Sequence, residues 1–392
     1  MLLTGLSLLS ETFAVKLLAS HFSGQVYTLD LTLTNPTTGA LKISSQQKGC
    51  GVTPTWLYLD EESRTVYCFD ESWAGSGVIQ QYSLNAKDAS TTQLKLTGSA
   101  STAGNSVYGS LYGGPNGKSF VITAEYTPST LTTYKLPITS STKQLQKLSF
   151  TMAKPGPRPD RQDKPHPHAG FTDPTGKFMI VPDLGADLTR IFKINADTGM
   201  LTACGTAASL AGDGPRHGVF YKIGDGYKYY SLNEVSSSVG VYDVKFPASG
   251  SSDCLSLSLT NTHSTYGPGV ALGNKDVKSA EIRIAGNFLY ASNRNDKKFG
   301  SEQDSIATFK IESSGALTFI ELANSYTYYP RSFTINKNGT YMAVGGQTTA
   351  NVAIIARDTE TGKLGKLVAN LALPPRGTYG GEDGLSSVIW DE

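Results

Sequence analysis

A pattern of four short apolar runs separated by turns recurs along this chain, beginning near Thr55, Val107, His168, Arg216, Ser279 and Arg331 at intervals of 48 to 63 residues. A repeat of that length signals propeller blades, because each blade is a small antiparallel sheet that cannot bury its faces alone. The clearest copy, HAGFTDPTGKFMIVPDLGADLTRIFKINADTGMLTAC from His168, predicts a short strand, an Asp-Pro-Thr-Gly turn and a strand over 178–182. A Gly-containing loop, a strand over 189–194, a turn and a last strand from Met200 follow. The other copies differ mainly in loop length. Three strand-like runs remain at the N-terminus, 15–22, 25–32 and 41–46, and one at the C-terminus, 385–390. Together they supply a seventh blade, at about 56 residues per blade over 392 residues. Pairing the two ends in one sheet would close the ring and leave no open edge. The expectation is an all-β, seven-bladed β-propeller with four antiparallel strands per blade, one domain over 15–392. The alternative is six blades with both ends outside the ring.

Composition agrees. Glycine (41) and proline (18) supply turns, tyrosine (20) and phenylalanine (15) suit pleated surfaces, and five methionines are few for a helical bundle. Lys and Arg number 34 against 33 Asp and Glu, a net charge of +1. A nucleic-acid binder would carry a basic excess, so no such partner is expected. No run of about 18 apolar residues occurs, so no membrane-spanning helix is expected. Cys50, Cys68, Cys204 and Cys254 permit two disulfides in three connectivities. Pairing neighbours in sequence gives Cys50 with Cys68 and Cys204 with Cys254; the alternative is four reduced, buried thiols. Residues 1–14, MLLTGLSLLSETFA, are apolar and end in a small residue, like the remnant of a secretory signal, though without its basic start and with Glu11 inside. Secretion is the location this implies, with the cytoplasm as alternative. The sequon Asn338-Gly339-Thr340 would be usable only in a secreted chain.

In a propeller the first strand of each blade lines the axis, and the loops entering it converge with those joining second to third strands. Residues at equivalent repeat positions therefore share one cavity. At the starts of first strands stand Lys164, His166 and His168, then Arg216 and His217, then Arg331. At the ends of second strands stand Asp183, Asn233 with Glu234, and Asn293 with Arg294. Three arginines, several histidines and one glutamate concentrate cations in a nearly neutral protein, which favours a small anionic ligand, above all a carboxylate.

In KPHPHAG, 164–170, His166 and His168 stand at i and i+2, so on a strand both would point one way. They read as structural hydrogen-bonding groups or as proton-transfer groups. A metal would need a third ligand, and the equivalent positions elsewhere are mostly arginine. Glu234 either caps a Ser-rich turn or serves as base or orienting charge among Arg216 and Arg294, which would hold it ionised. Arg216 in GPRHG and Arg294 in SNRND sit at blade mouths. Arg331 in YPRSF either joins them or ties adjacent blades together. GxSxG, P-loop and HExxH motifs are absent. The segment DLGAD, 183–187, lacks the downstream acids of a calcium loop and reads as a tight strand connection.

These blocks, HPHAGFTDPTGKFMIVPDLGAD, GPRHGVFY with LNEVSSSVGVYDV, ASNRNDKKFGSEQDSIATFKI and PRSFTINKNGTYMAVGGQTTANVAIIARDTETGKL, resemble the seven-bladed propeller lactonase family, which takes in propeller-type 6-phosphogluconolactonases and fungal carboxymuconate cyclases. The resemblance covers about 164–364. It implies a channel site of one histidine, two arginines and one glutamate, carried here onto His168, Arg216, Arg294 and Glu234, with neither metal nor organic cofactor. Lys164, His166, His217, Asn233, Asn293 and Arg331 would surround the substrate. In the cyclase chemistry it implies, the arginines clamp carboxylates while His168 or Glu234 moves a proton as one carboxylate oxygen adds across a conjugated double bond. In the lactonase chemistry the arginines face the acyl oxygen and Glu234 or His168 activates water. Both need the same four residues. The competing expectation is a secreted, non-catalytic propeller that binds a carbohydrate, peptide or protein.

Overall fold

The computed structural model describes residues 15–86, 93–274 and 276–392; the segment 1–14 lies outside them. Seven four-stranded antiparallel sheets form the ring. Blades 1 to 6 open with strands Pro54–Asp60, Ser106–Tyr112, Phe171–Thr172, Pro215–Ile223, Lys278–Ala285 and Pro330–Ile335. Blade 7 opens with the C-terminal strand Leu385–Asp391 and is completed by Val15–His21, Gln25–Asn35 and Thr38–Lys48. The closing register pairs Lys16 with Asp391 and Ala19 with Val388. Seven blades are present, not six.

The core is distributed between blades. Seven apolar clusters fill the ring among the described residues, each shared by two neighbours: Leu17, Leu29 and Trp390 of blade 7 meet Val352 and Ile354 of blade 6, and Tyr230 and Val241 of blade 4 meet Leu289 and Phe309 of blade 5. Each fully buried aliphatic side chain contributes about 1.5 to 3 kcal/mol. Tyrosine hydroxyls buried in the same seams need acceptors. Those of Tyr112, Tyr230 and Tyr290 donate to the Gly199, Gly315 and Gly362 carbonyls of the next blade at 2.6, 2.8 and 2.7 Å.

Blade 3 departs from the expected strand at His168. Its ladder is cut to Phe171–Thr172 because Pro165 and Pro167 have no N–H to donate. The preceding chain still runs beside the second strand: Pro167 bridges to Asp183, and the His168 N–H donates to the Pro182 carbonyl at 3.0 Å. The residues of 183–187 brace this region. Asp187 accepts from Gln162 Nε2 at 2.6 Å and from the Gly214 and Gly212 N–H groups at 2.8 and 2.7 Å. Gly214 sits at φ +63°, and a Cβ there would lie 2.4 Å from Val235 Cγ2, which is why the turn into Arg216 carries glycine.

Both disulfides follow the sequence-neighbour pairing, Cys50 with Cys68 and Cys204 with Cys254. Each joins two adjacent blades. Cys50 follows the outer strand of blade 7 and Cys68 lies in the second strand of blade 1, so this bond crosses the seam next to the ring's closure. Loops of 18 and 50 residues are closed, worth about 3 and about 4 kcal/mol on chain-entropy grounds. Replacing Cys50 and Cys68 by alanine, or Cys204 and Cys254 by serine, should lower the denaturant midpoint of unfolding and steepen the transition, because the unfolded chain without the bond is more expanded. An unaltered midpoint in both pairs would show that the staples carry no stability.

Candidate active site

One backbone device repeats around the axis. In blades 1, 2, 4, 5, 6 and 7 the register between first and second strands slips by one residue at the same level. The residue left out of the ladder is Thr55, Val107, Arg216, Arg331 and Ser386 in five of them, and Ala280 or Glu281 in blade 5. In blade 3 the same offset separates the Pro167–Asp183 bridge from Phe171–Thr172, and His168 stands in it. A bulge of this kind bends the strand and re-aims a side chain. It brings Val107, His168, Arg216 and Arg331 into the wall of one axial cavity of about 360 Å³, a size suited to a small molecule. A second ring comes from the ends of the second strands: Glu71, Tyr126, Glu234 and Gln347 follow the last ladder partner, Arg294 is the last ladder partner of its strand, and all five line the same cavity.

Glu234 is the electrostatic hub. Its Oε1 lies 2.5 Å from Arg161 Nη2, and its Oε2 lies 2.9 Å from Arg216 Nε and 2.8 Å from Arg294 Nη2. Burial alone would push this carboxyl up, but the charges of Arg294, Arg161 and Arg216 hold it well below 4.5. It is a permanent anion that fixes three guanidinium groups. Arg216 also donates to the Ala280 carbonyl, and Arg294 to the Ser279 carbonyl at 3.0 Å, with its guanidinium 5.0 Å above the Tyr329 ring. Burial and the Arg294 charge lower the Arg216 pKa to about 9, a measure of how crowded the cations are.

Across the cavity Glu71 accepts from Thr55 Oγ1 at 2.5 Å and from Arg331 Nη2 at 2.8 Å. Arg331 thereby braces blade 6 to blade 1, reaching past blade 7. Burial raises the Glu71 carboxyl to about 7 against the opposing Arg331 charge. His168 lies between the two glutamates in ring order. Burial, reinforced by the Arg216 charge, holds its imidazole well below 6.5, so it is neutral, and its Nδ1 has no hydrogen-bond partner.

Of the residues expected at the site, His168, Arg216, Glu234, Arg294, Lys164, His166 and Arg331 line the cavity. His166 has both ring nitrogens engaged, Nε2 with Asp163 at 2.7 Å and Nδ1 with the Tyr126 carbonyl at 3.0 Å, and it stacks on Tyr126. Three expected residues are not brought to the wall. His217 is not in the lining but packs behind it, Nδ1 3.1 Å from Glu281 and its ring against Trp56, Tyr108 and His168. Asn233 donates to Ser238 Oγ at 2.9 Å, and Asn293 to the Thr265 carbonyl at 3.1 Å. They lie in the ladder one residue before Glu234 and Arg294, so strand alternation turns them into the sheet.

The expected surplus of cations is also smaller than foreseen, because Glu71, Asp160, Asp163 and Glu382 join Glu234 in the lining. Glu71 occupies the repeat position of Glu234 and was visible on that signal. Arg161 comes from the loop between blades 2 and 3, where no repeat position points to it. Among the described residues no cluster of three His, Cys, Asp or Glu side chains is placed to hold a metal ion.

A closed propeller with one charge-lined axial cavity, holding an uncommitted imidazole beside fixed guanidinium groups, defines a propeller with a small-molecule site. Residues 15–378 match the family described as "Lactonase, 7-bladed beta-propeller", and the chain belongs to it. It is 32% identical over 266 residues to 6-phosphogluconolactonase of Formosa agariphila, covering 65% of this chain and 68% of that one. Identity to 6-phosphogluconolactonase of Bacillus subtilis is 27%, over 82% and 85%. The fold superposes on the periplasmic gluconolactonase of Pseudomonas aeruginosa with a TM-score of 0.78 at 21% identity, over 96% of this chain and 99% of that one.

Removing the hub charge should be costly. Glu234→Gln leaves two buried guanidinium groups, Arg216 and Arg294, and the half-buried Arg161 without their shared anion, an expected loss of about 3 to 5 kcal/mol at pH 7. A carboxyl with a depressed folded pKa gives stability above its unfolded value of about 4.5 and loses it as pH falls. Urea unfolding of both proteins should therefore show the gap closing as the pH drops below about 4.5; a gap independent of pH would contradict the charge account.

Proposed function

We propose that this protein hydrolyses the lactone of a small sugar acid in its axial cavity. The observation that carries the reading is His168: a buried, neutral imidazole with a free Nδ1 beside guanidinium groups held in place by a permanent carboxylate. The family match and the names of the relatives support lactone chemistry.

Arg216 and Arg294 would receive the lactone carbonyl oxygen, where negative charge grows as water adds. His168 takes the water proton as the new C–O bond forms. The tetrahedral intermediate collapses by breaking the bond between carbonyl carbon and ring oxygen. The departing alkoxide takes a proton from Glu71, which its environment keeps protonated to about pH 7. Proton return from His168 to Glu71 restores both groups; the carboxylic acid formed gives its remaining proton to solvent and leaves from among the arginines as the carboxylate. The expected cyclisation of a muconate-type acid would use the same groups, and nothing in the site or among the relatives favours it over hydrolysis. A purely binding propeller has no need of an unpartnered imidazole within a ring of fixed cations. We also propose secretion, supported by two disulfides that suit an oxidising compartment.

Arg294→Ala should lower lactone kcat by about 10² to 10³ with the circular dichroism of the wild type. The assay follows acid release from a panel of aldonolactones, alongside ultraviolet loss from muconate-type acids; turnover of the latter alone would replace hydrolysis by cyclisation. With Glu71 as proton donor the rate should fall as pH rises through about 7. Glu71→Gln should lose that limb together with about 10² to 10⁴ in kcat. An unchanged pH profile would remove Glu71 from the mechanism.

A further inference from the structure

The axial cavity does not end at its mouth. A groove of about 240 Å³ continues from it between blades 4, 5 and 6, lined by Arg158, Val235, Val277 and Tyr379. Asp160, Arg161, Lys278, Tyr329 and Gly380 belong to both spaces, so the two are contiguous. Tyr379 is 55% exposed, yet it is not loose. Its hydroxyl accepts from Asn295 Nδ2 at 2.9 Å, and the same Asn295 accepts from Tyr328 at 2.6 Å. Its ring stands perpendicular to Tyr329 at 5.9 Å and nearly parallel to Tyr328 at 6.3 Å. An aromatic face presented to solvent while its polar end is tied down is preorganised to take an apolar face of a ligand.

The polar lining narrows the ligand. Arg158 is committed to Asp160 through two contacts of 3.1 and 3.2 Å, and Arg161 to Glu234. That leaves Lys278 as a lining cation without an ion-pair partner among the described residues, in the same groove as the Arg158-paired Asp160, whose side chain is 61% exposed. One acid and one ammonium beside an aromatic face suit a ring that is apolar on its C–H side and carries hydroxyls at its edge. A compact dianion would leave the exposed Tyr379 face uncovered and would fill little of the space.

We propose that this groove is a second sugar subsite, and that the preferred substrates are lactones whose acid unit bears a second hexose in glycosidic linkage. This rests on the lactone-hydrolase reading. The test compares kcat/KM for a hexonolactone, its 6-phosphate and a disaccharide-derived lactone, and measures calorimetric binding of the corresponding aldonate and aldobionate to the full chain. The disaccharide lactone should be favoured by about tenfold or more. Tyr379→Ala should abolish that preference while leaving hexonolactone turnover unchanged. Equal kcat/KM for one-ring and two-ring lactones, a preference for the phosphorylated lactone, or an equal loss on both substrates in Tyr379→Ala would each overturn the proposal. Should no lactone be hydrolysed, tighter binding of aldobionate than of aldonate, cancelled by Tyr379→Ala, would keep the subsite and remove the hydrolase. Equal binding would overturn both.

Discussion

Each blade of this ring has two apolar faces and no means of covering them except its neighbours, so the structure depends on the ring closing. The seven clusters lie one to a seam, and stability is a chain of nearest-neighbour contributions that must return to its origin. Closure falls on blade 7, where the C-terminal strand pairs with the first N-terminal one. Two contacts reinforce the seam beside it: the Cys50–Cys68 bond, and the pairing of Arg64 in blade 1 with the buried Asp391 in blade 7. Losing Leu385–Asp391 would leave one edge of Val15–His21 unpaired and uncover the strands of blades 6 and 1 that pack against the lost strand.

Closure also creates the chemistry. The axis is the one place where all seven first strands meet, and the shared register slip directs side chains into it. Charges taken out of water there must be paired. Glu234 therefore holds three guanidinium groups, while Arg331 contacts Glu71 and, at 3.4 Å, Glu382, so the positive charge in excess lies around Glu234. The remaining positive charge is what an arriving carbonyl oxygen or carboxylate can use. Fixed by Glu234, those donors need no rearrangement as charge develops, which is the condition for electrostatic catalysis.

The repeat made most of this legible. Blade count, ring closure and the places of His168, Arg216, Glu234, Arg294 and Arg331 follow from aligning one copy of the pattern on another, and both disulfides from pairing neighbours in sequence. The residues turned away from the cavity are turned for specific reasons. Asn233 and Asn293 sit beside cavity-lining positions, but a strand turns each successive side chain to the opposite face. His217 follows the bulged Arg216 and is directed behind the cavity lining for the same reason. The proline-broken entry at Pro165 and Pro167 conceals how short the first strand of blade 3 is. Arg161, in the long segment before it, has no counterpart in other blades, and only the folded chain shows that it reaches Glu234.

Glu71 and Glu234 show how one repeat position yields two opposite proton affinities. Both follow the second strand of their blade, both are buried, and both touch arginine. Glu234 faces three guanidinium groups, so its proton is driven off; Glu71 faces Arg331 with Glu382 nearby, and burial prevails. Two like groups whose surroundings drive their pKa values apart can take separate roles, one as a fixed charge and one as a proton carrier. Duplication of a blade supplies the position; the neighbours that the ring places around it decide what the residue does.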